Sequence, residues 1–152
     1  MNWQDILKKV PEGYREAAGC IIFKGNKVLL LRRSPKETSK HGLWELAGGK
    51  LEEGETPKET AIIETEEEAG IKVSIDKTLV PHIDDSMKKV YHGFTANVSE
   101  EVEPVLSEEH DDYKWITIED ALAMKEPLSH HAKFLFGQLC GESMWQDILK
   151  HT

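Results

Sequence analysis

Residues 48–71 read GGKLEEGETPKETAIIETEEEAGI, from Gly48 to Ile71. Thr56 is a good helix N-cap, Pro57 suits the first helical position, and Glu59 completes a T-x-x-E capping box. A helix is therefore expected from about Pro57, ending at Gly70, where a left-handed conformation costs glycine little. Ala61, Ile62, Thr65 and Ala69 form a narrow, mostly apolar stripe able to pack on a sheet. Glu64, Glu67 and Glu68 fall three and four residues apart, so their carboxylates share one side of that helix. Like charges this close need a solvated face or a cation. Oxygen-rich clusters suit hard divalent ions such as Mg²⁺. The glycines upstream favour the second reading, because a backbone without Cβ lets amides and carbonyls approach an ion or phosphate. Gly48 and Gly49 read as a turn entering the helix.

Working outward, Ala17 to Phe23 and Val28 to Leu31 are apolar, β-prone runs joined by Lys24-Gly25-Asn26-Lys27, a hairpin signal. The polar stretch from Ser34 to Lys40 reads as a loop. Ile71 to Val80 and Val90 to Val98 read as strands joined through Pro81 to Lys89, and Tyr113 to Ile116 as a short strand. Thr117 caps a helix running to about Met124, and Ser129 caps another over Leu128 to Leu139. Strands and helices mixed in this way predict an α/β fold on a mixed sheet.

The chain has 152 residues, a net charge of −9 and 39% hydrophobic residues. That is enough for one domain with a core, expected over 1–152 with its centre at about 15–140. The negative charge argues against a general nucleic-acid or anionic-membrane binder. No apolar run approaches a membrane span, and Asp5 and Lys8 interrupt any signal-like start, so a cytoplasmic location is the expectation. Cys20 and Cys140 make neither a metal motif nor a disulfide framework. Trp3-Gln4-Asp5-Ile6-Leu7-Lys8 recurs as Trp145-Gln146-Asp147-Ile148-Leu149-Lys150. Each copy sets Trp, Ile and Leu on one helical face, so short amphipathic helices are expected at 2–10 and 142–151. They suit a homodimer contact or a duplication without function.

The glycine–helix stretch resembles the Nudix box, G-x5-E-x7-R-E-U-x-E-E-x-G-U, where U is aliphatic. In this register Gly49, Glu55, Glu64, Glu67, Glu68, Gly70 and Ile71 match, while Ile63 stands in the arginine slot and Thr65 in the first aliphatic slot. Trp44-Glu45-Leu46 and Glu109-His110-Asp111-Asp112-Tyr113-Lys114-Trp115 are also similar to segments of that family.

The resemblance implies an α/β/α sandwich and hydrolysis of a pyrophosphate bond in a nucleoside triphosphate or related polyphosphate. It implies Mg²⁺, with Mn²⁺ as the alternative, held by Glu64, Glu67, Glu68 and a carbonyl at Gly49. Glu67, Glu64 or the loop carboxylate Glu109, with Glu108 beside it, would serve as general base. Candidate substrate contacts are Arg32 or Arg33, one of which should face the site, Trp44 as a base-stacking surface, and Lys50 beside the glycines. Trp44 reads equally as a core residue, and His131 as a surface or packing residue. A dinucleoside polyphosphate hydrolase and a non-catalytic nucleotide-sensing module are the alternatives; the second follows from Ile63, which has no donor with which to orient a carboxylate.

Overall fold

A computed structural model describes residues 10–35 and 41–150, with backbone alone for 142–150. The strands are β1 (Arg15–Lys24), β2 (Lys27–Arg33), β3 (Trp44–Glu45), β4 (Ala47–Lys50), β5 (Ile75–Thr78), β6 (His82–Asp84), β7 (Lys89–Asn97) and β8 (His110–Ile116). The helices are α1 (Pro57–Ala69), α2 (Ile118–Ala123) and α3 (His130–Lys150). All eight strands join one mixed sheet in which β1 runs parallel to β7 and antiparallel to β2 and β4.

Both faces of the central strands are buried, which is why β1 and β2 read as nearly continuous apolar runs. Alternate residues separate the two faces. Ala17, Ile21, Val28 and Leu30 pack with Ala121 of α2 and with Ala132, Leu135 and Phe136 of α3. Cys20, Ile22, Leu29 and Leu31 pack on the opposite side with Ala47, Ala69 of α1 and Ile71. The result is an α/β/α sandwich. No helix among the described residues is long and apolar enough to cross a membrane.

The β1–β2 hairpin turns through Gly25 at φ 60°, but its strands stay paired only at Phe23–Val28 and Lys24–Lys27. Beyond that they splay, and 44–50 lies between them, first as β3 against Leu31 and Arg32 and then as β4 against Ala17 to Cys20. This corrects the glycine-turn expectation: Gly48 and Gly49 are strand residues opposite Gly19 and Ala18, and neither has positive φ. Their lack of a side chain serves close packing. A Cβ on Gly48 would collide with the carbonyl of Ala18 and lie 2.7 Å from the Tyr91 hydroxyl.

α1 begins and ends where the capping residues place it. The Thr56 side chain accepts from the Glu59 amide at 3.2 Å, the Glu59 carboxylate accepts from the Thr56 amide at 3.2 Å, and Gly70 closes the helix at φ 67°. Ser129 also caps α3, accepting from the Ala132 amide at 3.2 Å. That helix runs on to Lys150 instead of stopping near Leu139, so the second Trp-Gln-Asp-Ile-Leu-Lys copy continues it and is not a separate segment. The first copy lies outside the described residues. β5 is shorter than expected, and the stretch read as a connection holds β6, paired with β7 from His82 to Asp84. β8 starts at His110 rather than Tyr113, because 110–112 continue the pairing with β2.

Candidate active site

The splayed strands leave a cleft of about 550 Å³ where β4 passes the middle of α1; its walls include Arg33, Glu45, Gly48, Gly49, Lys50, Glu64, Glu68 and Glu109. Glu64 and Glu68 stand one helical turn apart, and each meets one glycine. The Glu64 carboxylate lies over Gly49, close enough that a Cβ there would be 2.7 Å from its Cδ. Glu68 Oε2 accepts from the Gly48 amide at 3.2 Å.

The ladder explains this division. Leu51 N donates to Glu16 O at 3.1 Å, and pairing alternates, so the Gly49 amide and carbonyl face β1 while those of Gly48 face away from it. The backbone that reaches the carboxylates is therefore that of Gly48. The resemblance implies a carbonyl from Gly49, but that carbonyl faces β1 and Gly49 provides room for Glu64.

Glu109 reaches the same place through the segment before β8. The Val105 amide donates to Ala69 O at 2.8 Å and the Ser107 amide to Glu68 O at 3.2 Å, satisfying carbonyls at the end of α1 that have no partner within the helix. Ser34 N then holds Glu109 O at 2.9 Å. A turn that caps the helix thus carries a third carboxylate to the first two.

Burial pushes the Glu68 carboxyl up to about 9; the Gly48 hydrogen bond opposes the rise, and Glu109, Glu45 and Glu64 add to it. Glu64 is raised as well, first by burial and then by Glu67, Glu109, Glu55 and Glu52. Charges that repel one another at a cleft wall are what a divalent cation neutralises. The donor set fits one: Glu68 and Glu109 oxygens and a His110 ring nitrogen lie within 4.8 Å of one another.

The remaining candidates divide. Arg33 lines the cleft and pairs with Glu45 at 3.0 Å, whereas Arg32 pairs with Asp111 at 2.8 Å and does not line it. Lys50 lines the cleft; Glu67 is exposed beside Glu64 and does not. The base-stacking reading of Trp44 is corrected: the ring is 4% exposed within the core and lies under Lys114 Nζ at 4.2 Å. Ile63 is 40% exposed on α1.

Sequence reading gave no role to several residues at the cleft. Glu45 and Glu52 are carboxylates of its wall, and Lys89, Tyr91 and Ser129 extend it. His131 packs, stacking on Tyr91 at 4.3 Å between ring centroids, yet it also lines the cleft. Glu45 lay within a segment already singled out beside the glycines. Glu52 lies in the 48–71 stretch itself and Ser129 is the helix cap, whereas Lys89 and Tyr91 come from β7 and carry no local pattern.

The sequence model of the NUDIX domain matches residues 13–136. A CTP pyrophosphohydrolase of Escherichia coli (strain K12) is 30% identical over 107 residues, covering 70% of this chain and 78% of that protein. The crystal structure of a MutT protein from Methanosarcina mazei Go1 superposes with a TM-score of 0.73 at 26% identity, over 89% of this chain and 99% of that one. A C. elegans Ap4A hydrolase, solved as a binary complex, gives 0.67 at 25% identity, over 86% and 98% of the two chains.

Proposed function

The chain belongs to the NUDIX family as one of its hydrolases, and from that premise we propose that it cleaves a pyrophosphate bond in a nucleoside triphosphate or closely related polyphosphate with Mg²⁺ bound. The observation that carries the reading is the convergence of Glu64, Glu68 and Glu109 on the Gly48–Gly49 strand. The CTP pyrophosphohydrolase relative supports a nucleoside triphosphate, and the cleft is of the size that small-molecule sites usually have.

Glu64 and Glu68 would hold the cation from the cleft wall, with Glu67 on the exposed side of Glu64 and Glu109 beside Glu68. When bound, the cation supplies charge neutralisation at the phosphate oxygens and a more acidic water. A carboxylate oxygen of Glu109 takes the proton as water attacks phosphorus. The new P–O bond forms as the bridging P–O bond breaks, and the electron pair leaves with the departing phosphate group. Lys50 and Arg33 line the cleft, so in this reading they orient the chain of phosphates. Gly49 and the Gly48 amide fix the two helix carboxylates before substrate arrives.

The test is turnover of nucleoside triphosphates, dinucleoside polyphosphates and ADP-ribose with and without Mg²⁺, following phosphate and pyrophosphate release. Metal-dependent cleavage that is lost in Glu68→Gln is expected. Turnover indifferent to chelator, or unchanged in that variant, would overturn the assignment.

A further inference from the structure

His110 is a buried group that the proposed reaction does not use. It opens β8 and is 4% exposed. Its Nε2 lies 3.3 Å from Glu45 Oε1, which also accepts from Arg33 Nη1 at 3.0 Å. Its Nδ1 is buried and has no hydrogen-bond partner.

The partner on one side decides the chemistry on the other. The Arg33 guanidinium, 3.0 Å from Glu45 Oε1, pairs with the Glu45 carboxylate and favours its ionised form. A carboxylate only accepts, so Nε2 carries a proton, and Nδ1 is the nitrogen left to offer a lone pair to a cation. A carboxylate behind an imidazole whose other nitrogen is open is the arrangement by which proteins orient a metal-binding histidine. The open ring stands with Glu68 and Glu109, whose oxygens lie within 4.8 Å of a His110 nitrogen and of each other.

We propose that His110 Nδ1, Glu68 and Glu109 form a mixed nitrogen–oxygen site that takes a first-row transition cation, such as Co²⁺ or Zn²⁺, in preference to Mg²⁺. Mg²⁺ favours all-oxygen octahedra and keeps its waters, whereas imidazole favours the later divalent ions. Glu45 is a positioning residue for this site, fixing the tautomer through Nε2. The inference rests on the carboxylate cleft being the metal-binding place of the hydrolase.

Co²⁺ is the probe, added alone to the full chain at one equivalent and followed by proton NMR. The expected result is a hyperfine-shifted, solvent-exchangeable ring N–H resonance, retained in His131→Asn and lost in His110→Asn. Calorimetry should show Co²⁺ binding weakened about tenfold or more in His110→Asn, with Mg²⁺ binding changed less than about twofold. The wild-type spectrum decides the matter even if His110→Asn does not fold. Co²⁺ binding without that resonance, or equal weakening of both ions, overturns this site and leaves the hydrolase reading standing. Failure of Co²⁺ and Mg²⁺ alike to bind overturns both.

Discussion

The carboxylate of Glu64 occupies the space where a side chain on Gly49 would begin: a Cβ there would lie 2.8 and 3.0 Å from its two oxygens. Gly48 is hemmed in differently, by the Ala18 carbonyl, the Gly19 Cα and the Tyr91 hydroxyl. Adjacent glycines therefore predict opposite phenotypes. In Gly49→Ala the end of a flexible side chain moves, so stability changes by less than about 1 kcal/mol while turnover falls about a hundredfold with the displaced carboxylate. In Gly48→Ala backbone must move, at a cost of about 1–3 kcal/mol. Thermal denaturation beside kcat measurements separates the two, and matching behaviour would refute the packing described.

Ile63 projects 40% exposed from α1, so Ile63→Arg meets no packing penalty and should leave stability within about 0.5 kcal/mol. If its guanidinium reaches the neighbouring carboxylates, one charge-assisted bond is worth about 1.5–3 kcal/mol, equivalent to ~10- to 100-fold in rate. A rise in kcat with KM nearly constant is expected. An unchanged kcat would mean that these carboxylates are already held by Gly48, Gly49 and the turn before β8.

Glu68 gives the metal-free protein a pH dependence. Its folded carboxyl titrates at about 9 against an ordinary 4.5, so the folded state keeps a proton that the unfolded chain releases. The contribution is whole below about 4.5 and is lost as pH rises toward 9, at up to about 1.4 kcal/mol per pH unit. In chelator, Tm should therefore fall between weakly acidic and weakly alkaline pH. Saturating Mg²⁺ should remove most of the fall, because it binds the ionised form. Glu68→Gln should flatten the chelated profile, and a slope that survives in that variant would assign it elsewhere.

Glu55 belongs to the same sequence box but does not line the cleft. Its Oε1 accepts from the Glu52 amide at 3.0 Å and from Thr60 Oγ1 at 2.8 Å, bracing the turn before α1. Glu55→Ala should cost about 1–2 kcal/mol of stability through these bonds. Mg²⁺ affinity should stay within about threefold of wild type, against a loss of tenfold or more in Glu68→Gln. Comparable losses of affinity in the two variants would put Glu55 at the metal.

What was legible in the sequence was local. Thr56, Pro57, Glu59 and Gly70 fix α1 through contacts within a few residues, so its limits and its carboxylates could be read directly. Strand β4 could not: Ala-Gly-Gly-Lys has no strand pattern and is extended because β1 lies beside it. Trp44 was ambiguous because only the fold brings Arg32 and Lys114 over its ring. His110 was silent for the same reason, since Glu45 comes from β3 and Glu68 from α1. Spacing along one helix announces a cluster; a site assembled from three elements does not.

Strand 44–50 enters a gap between two strands joined by a two-residue turn. The hairpin can zip from Gly25 only as far as its first two pairs before it must wait for a segment that arrives from further along the chain. The contacts of Gly48 with Ala18 and Gly19, and the pairing of Gly49 with Ala18, depend on that arrival. Closing this gap is a non-local step that bears the entropy of the intervening loop. In the proposed reading, cation affinity doubles as a readout of whether the sheet has been completed.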